Sequence, residues 1–113
     1  MNFDIKKVKI IVFVPEEIVS ELRDAVCNAG AGALEKYSYC TSCAKVNGTY
    51  IPNENAKPYE GTQNTLEFVE EIKLEFICDV KLVKKVMKII REIHPYEEPT
   101  IDIIPLLDEK SFK

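Results

Sequence analysis

The sequence predicts an α+β fold of the split βαβ kind, in which two helices pack on one face of a four-stranded antiparallel sheet, the ferredoxin-like arrangement. Three observations carry this expectation. Val8, Ile10, Val12 and Val14 alternate with Lys9, Ile11 and Phe13, so the first strand is apolar on both faces, as a central strand is. Leu66, Phe68, Ile72, Leu74 and Phe76 share one side of a later strand while Glu67, Glu71, Lys73 and Glu75 share the other. Between and after these strands stand two segments with apolar residues at spacings of three and four.

In chain order, Pro15 ends the first strand, and Pro15-Glu16-Glu17 suits a first helical turn, since proline needs no donor there and carboxylates favour the positive end of the helix dipole. Ile18, Leu22, Ala25, Val26 and Ala29 form the stripe of this helix, and Gly30 supplies a left-handed stop. Cys27 falls with Ser20, Arg23 and Asp24 on the polar side, so its thiol is expected to be accessible to solvent or at a subunit contact. A second strand is expected from about Leu34 to Val46, with a tight turn at Asn47-Gly48 and a short return through Ile51. The stretch 52–65, with two prolines, Gly61 and several asparagines, is too long and turn-rich for a plain connector, and loops of that kind often carry function.

Asp79 is the expected N-cap of a second helix with the stripe Leu82, Val83, Val86, Met87, Ile90 and Ile93. His94-Pro95 closes it, because the residue before proline is pushed out of helical geometry. Ile101, Ile103 and Ile104 make a last strand, which Pro99 and Pro105 assign to an edge. Two helices cover only one sheet face, which leaves Ile11, Phe13 and one side of the last strand open in a monomer; a homo-oligomer is the expectation, a trimer ahead of a dimer. The alternative cover is the tail, 107–113, folded back over the sheet.

The 113 residues fit a single domain, with a core at about 8–106. A net charge of −4 with no Lys/Arg block speaks against a nucleic-acid partner. The longest apolar run, Ile10 to Val14, is far too short to span a bilayer, and no signal-peptide pattern precedes it, so no membrane contact and a cytoplasmic location are expected. The four cysteines, Cys27, Cys40, Cys43 and Cys78, then read as thiols.

Two constellations are candidates for chemistry. Cys40-Thr41-Ser42-Cys43 invites a redox or zinc reading, yet no helix follows to lower a thiol pKa and no second ligand pair completes a zinc site. His94, Glu97 and Glu98, in His94-Pro95-Tyr96-Glu97-Glu98-Pro99, present an imidazole and two carboxylates, able to hold a divalent ion or a protonated ligand. The alternative is that His94 caps the helix end while the glutamates are solvated. One histidine, no nucleophile elbow and no phosphate-binding glycine loop argue against an enzyme.

The stretch from Ile93 to Leu106 resembles the closing segment of the PII-like insert domain in YqfO-type proteins of the Nif-three-like dimetal-binding family. Val12 to Glu17, Ala29 to Gly32, Tyr37 to Cys40, Gly48-Thr49-Tyr50 with Pro52, and Asn55 to Gly61 resemble that insert in the same order, over about residues 8–106. The His-Pro-Tyr-Glu core is also similar to a segment of CutA, the divalent-cation tolerance protein, which assembles as a trimer. The resemblance implies a CutA/PII-like fold that oligomerises, with a long hairpin region through which ligands or partner proteins are met. It does not carry over dimetal chemistry, whose histidines and carboxylates belong to flanking domains. The expectation is a non-enzymatic binding or regulatory module, its site formed by the 44–65 region and the closing segment, with Tyr50, Tyr59, His94, Tyr96, Glu97 and Glu98 as binding residues. The alternative is a metal-homeostasis protein that holds a divalent ion through His94, Glu97, Cys40 and Cys43.

Overall fold

A computed structural model describes residues 3–112. Strand β1 (Lys7–Val14) leads through a 3₁₀ turn at Glu16–Ile18 into helix α1 (Val19–Asn28). Strands β2 (Thr41–Tyr50) and β3 (Glu67–Asp79) follow, then a 3₁₀ turn at Val80–Leu82, helix α2 (Val83–Ile93) and strand β4 (Ile101–Leu106). The sheet order is β2-β3-β1-β4 with every pairing antiparallel, so β1 and β3 are central and the proline-bearing β4 is an edge. This is the split βαβ topology.

The pairing register assigns the faces. Ile10 opposes Phe76 and Ile103, and Val12 opposes Leu74 and Ile101, so these residues look towards the helices. Against them α1 contributes Leu22 and Val26, and α2 contributes Val86 and Ile90, which together make the core. Asp79 caps the second helical segment as expected, its Oδ1 accepting the Lys81 N–H at 2.9 Å. Gly30 takes φ +109° just beyond α1, the left-handed conformation that favours glycine, and Leu82 Cδ1 packs 2.9 Å from where a Cβ would stand. Among the described residues no helix is long and apolar enough to cross a membrane.

Three expectations require correction. Residues 34–40 do not form a strand: Glu35 and Tyr39 have positive φ, which an extended ladder does not accept, and the segment instead makes a loop held by Leu34 bridging Tyr37 and by the Cys40 N–H on the Gly32 carbonyl. Asn47-Gly48 is not a turn. Both residues lie inside β2, opposite Glu70 and Val69, because the thirteen-residue β3 offers partners all the way to Tyr50 and the chain reverses only in the loop beyond. Cys27 is buried rather than accessible, since the 29–40 loop folds across its side of α1; a Cβ on Gly32 would lie 3.4 Å from Cys27 Sγ.

The open sheet face is less bare than the sequence implies. Ile11 is only 9% exposed, flanked across the strands by Glu75 and Asp102. Phe13 is half-buried, while Ile104 on the edge strand is exposed. The tail turns as a 3₁₀ segment at Glu109–Phe112, where the Phe112 ring meets Phe3 at 5.7 Å between centroids. Lys113 lies outside the described residues.

Candidate functional site: a tyrosine and glutamate cleft

Because β1 pairs with β3 only as far as Ile72, the part of β3 before it and the matching half of β2 run on as a two-stranded arm beyond the helices. On the open face this arm presents Tyr50, Val69 and Glu71 beside Phe13. The loop 51–66 folds back towards it, and the segment after α2, His94 to Thr100, crosses the strand ends. Between the three lies a cleft of about 330 Å³, lined by Phe13, Tyr50, Tyr59, Glu60, Glu71, Tyr96, Glu97 and Glu98 among others.

Each wall is tied to another. Tyr96 Oη donates to Glu71 Oε2 at 3.1 Å, joining the closing segment to β3. The Lys57 N–H donates to Glu97 Oε1 at 3.0 Å, joining the loop to the same segment. Tyr50 Oη donates to the Glu60 carbonyl, and the Thr62 N–H donates to Glu67 Oε1 at 2.8 Å, so the loop is pinned to the arm. Gly61 makes this possible: it has φ +102°, and a Cβ would stand 2.7 Å from Tyr50 Oη and 2.8 Å from Glu67 Cγ. The Tyr59 and Tyr96 rings, 5.9 Å apart at 46°, form an aromatic corner.

His94 lies beneath this corner rather than in the cleft. It is 6% exposed, with its ring 4.6 Å from that of Tyr96. Nε2 is 2.7 Å from the Phe13 carbonyl oxygen, and Nδ1 is 3.2 Å from the Tyr96 main-chain nitrogen. A carbonyl only accepts and an amide N–H only donates, so the ring is the neutral tautomer with its proton on Nε2, and both nitrogens are engaged. Burial pushes its pKa below the ordinary histidine value, against the Phe13 carbonyl and the Glu71 carboxylate, which favour the charged form.

The tyrosines register the charge of the cleft. Tyr96 is pushed well above the ordinary phenol range by burial and then by the Glu71 carboxylate. Tyr50 is raised by burial, then by Glu67, Glu60 and Glu71.

Of the residues expected at the site, Tyr50, Tyr59, Tyr96, Glu97 and Glu98 all line this one cleft, and His94 supports it from below. Cys40 and Cys43 are elsewhere. Cys43 opposes Leu74, and Cys40 borders a shallow depression with Lys9, Ser42 and Glu75, at the end of β2 remote from Tyr50. Among the described residues no three His, Cys, Asp or Glu groups converge as a metal site, so the set His94, Glu97, Cys40 and Cys43 is not assembled within one chain. Sequence reasoning did not assign Glu60, Glu71 or Phe13 to the site; Phe13 was legible as an open-face residue of β1 and Glu71 only as a polar-face residue of β3, and their roles needed the strand register.

No family model matches the chain. A GTP cyclohydrolase 1 type 2 homolog of Halalkalibacterium halodurans is 45% identical over 101 residues, which cover 89% of this chain and 27% of the relative. The Bacillus subtilis protein of the same name is 38% identical over 98 residues, 87% of this chain and 26% of its own length. The crystal structure of a Bacillus cereus protein related to NIF3 superimposes with a TM-score of 0.80 at 37% identity, over 93% of this chain and 27% of that one. The chain is homologous to one segment of the NIF3-related proteins. It spans about a quarter of the length of the curated relatives it matches. Two further structures share the fold of this NIF3-related segment over most of their length. The periplasmic divalent cation tolerance protein CutA of Archaeoglobus fulgidus matches with a TM-score of 0.69 at 15% identity, over 94% of this chain and 90% of that one. B. subtilis GlnK matches with a TM-score of 0.62 at 12% identity, over 89% and 85%. The NIF3-related segment therefore has a CutA/PII-like, ferredoxin-like fold.

Proposed function

We propose that the chain is a non-enzymatic, self-associating binding module of the CutA/PII-like kind, acting in the cytoplasm, whose ligand site is the cleft between the β2–β3 arm, the 51–66 loop and the His94–Thr100 segment. The observation that carries this reading is that five residues from two distant stretches of sequence converge on one cleft of about 330 Å³, within the size range of ligand sites. Chemistry is disfavoured by the same geometry. The one histidine is neutral, buried and engaged at both nitrogens, so no imidazole is available as a general base in the cleft. The GTP cyclohydrolase name borne by the relatives belongs to proteins about four times as long, and GTP incubated with this chain is expected to remain unchanged.

Native mass spectrometry of protein purified without chelator or affinity tag reports subunit count and retained mass together. A multimer, with three subunits favoured, is expected; a bare monomer at micromolar concentration overturns the assembly, and turnover of GTP overturns the non-enzymatic reading.

The fold shared with a divalent cation tolerance protein favours metal binding as a second reading. With Cys40 and Cys43 remote from Glu97, the only form this takes is a site shared between subunits. Zinc affinity unchanged when Cys40, Cys43 and His94 are all substituted disposes of it.

A further inference from the structure

The cleft is unusual in what its walls combine. Phe13, Tyr50, Tyr59 and Tyr96 supply aromatic surface, and Glu60, Glu71, Glu97 and Glu98 supply carboxylates. No lysine or arginine is among the described residues that line it. Lys57, the nearest in sequence, contributes its main-chain N–H to Glu97; Lys73, opposite Phe13 on the open face, is paired with Glu75 at 3.8 Å; and Lys45 is held on the other face of the arm beside Glu16 and Glu70. A phosphate or carboxylate ligand would enter this space with no cation in the lining to balance its charge and with the neighbouring Lys73 already paired to Glu75, at a cost that rises with desolvation.

The opposite sign fits, and the geometry narrows it further. A divalent metal ion needs several oxygens drawn together at about 2.0–2.6 Å. Here the carboxylates are spread over β3, the loop and the closing segment, and do not converge on a point. Aromatic surface lies between them, with the Tyr59 and Tyr96 rings meeting at a corner. Aromatic faces and dispersed carboxylates recognise a cation that is large, weakly hydrated and partly apolar, which is the chemistry of an alkylated ammonium group. We infer that the cleft binds an organic ammonium ion, its cationic head against the Tyr59–Tyr96 corner and balanced by Glu71 and the Glu97–Glu98 pair. The phenols agree with the sign of the field on the β3 side: burial raises Tyr50 and Tyr96 first, and Glu71, Glu60 and Glu67 add to it, charges that favour a positive group placed beside them.

The inference rests on the cleft being the ligand site, and the test separates the two. Choline and its neutral isostere 3,3-dimethylbutan-1-ol are titrated into the ¹⁵N-labelled 113-residue chain, with inorganic phosphate, ATP and magnesium in parallel, and the amide signals of Tyr50, Tyr59, Tyr96 and Glu97 are followed. Saturable shifts at these amides are expected with choline, about tenfold tighter than with the neutral isostere, the ratio a cation–π contact with partial charge pairing supplies. Glu71→Gln keeps an acceptor for Tyr96 Oη and is expected to weaken choline binding several-fold while leaving the isostere unchanged; Glu98→Gln, at the exposed rim, gives the same sign without touching the packing. Equal affinity for choline and the isostere overturns the charge assignment. Shifts at the same amides by phosphate, ATP or magnesium alone overturn the ammonium class while the cleft remains the ligand site. No shift at these amides with any probe overturns both.

Discussion

The imidazole of His94 hydrogen-bonds the main-chain carbonyl of Phe13 across 81 positions of sequence, at 2.7 Å. β1 pairs with β4 only as far as Val12, so Phe13 lies one residue past the end of that ladder and the histidine supplies the donor that the missing strand does not. Through Nδ1 the same ring takes the Tyr96 N–H and so sets where the closing segment begins its crossing. A buried side chain thus fixes the position of an aromatic wall of the cleft without lining it.

Removal of that ring leaves two part-buried main-chain groups without their partner. His94→Phe retains the volume and the aromatic contact with Tyr96 but neither hydrogen bond, and each orphaned group costs about 1–3 kcal/mol. The variant is expected to lose about 2–4 kcal/mol in urea unfolding, a large share of the stability of a domain this size, and to broaden the Tyr96 and Glu97 amide signals. A variant as stable as the parent would show that water or a rearranged strand satisfies Phe13 equally well.

Acid acts on the same contact. The folded-state pKa of His94 lies below its unfolded value, so the unfolded chain takes up the proton first as pH falls. The histidine's contribution is complete above about pH 6.5, and it is lost as pH falls from there through the lower, folded value. Midpoints of thermal unfolding between pH 7.5 and 5 are expected to drop, and the slope to flatten in His94→Gln. An identical slope in the variant would assign the acid sensitivity to the carboxylates instead.

The four thiols separate by exposure. Cys43 is exposed and Cys40 half-buried, whereas Cys27 and Cys78 are buried and burial raises both of their pKa values. Since the thiolate is the reactive form, Ellman's reagent is expected to modify Cys43 first, then Cys40, with Cys27 and Cys78 following only on unfolding. Rapid modification of Cys27, read by peptide mass spectrometry, would mean that the 29–40 loop opens readily.

This ordering also shows where the sequence stops being informative. Alternation in 8–14 and 72–78 and the helical stripes at Leu22, Val26, Val86 and Ile90 are local signals, and they led directly to the correct topology and core. Cys27 was misread because its cover comes from a loop whose path depends on positive φ at Glu35 and Tyr39, positions with no glycine to announce it. Asn47-Gly48 was misread because a turn-forming dipeptide yields when the facing strand is long enough to pair straight through it. The cleft residues from Tyr96 to Glu98 were legible as a cluster, and Glu71 was not, since only the register of β3 brings it under Tyr96.

Gly61 connects loop conformation to the cleft. Gly61→Ala meets a positive φ and two contacts closer than Cβ atoms allow, with Tyr50 Oη and with Glu67 Cγ. The loop is expected to release the Tyr50 hydrogen bond to Glu60 rather than the fold to collapse, because neither residue belongs to the core. Amide exchange should rise across 53–65 and stay protected in β1 and α2. Uniform loss of protection would show that the loop is coupled to global stability.

The charge of the cleft can be read from its own tyrosines. Burial, then Glu71, raises the Tyr96 phenol; Tyr50 follows from burial and then Glu67. A phenol whose folded pKa is raised contributes stability that is complete below about pH 10, the unfolded value, and is lost as pH rises through the folded one. Absorbance at 295 nm, uncomplicated by tryptophan in a chain that has none, should therefore show a late-titrating fraction of its five tyrosines that overlaps alkaline unfolding. Tyr96→Phe removes part of that fraction. Glu71→Gln is expected to bring it to lower pH while keeping an acceptor for the hydroxyl, because the carboxylate's charge adds to the burial that opposes ionisation. If the late fraction persists unchanged in Glu71→Gln, burial alone holds the proton on Tyr96, and the negative field in the cleft is weaker than the arrangement of its carboxylates requires.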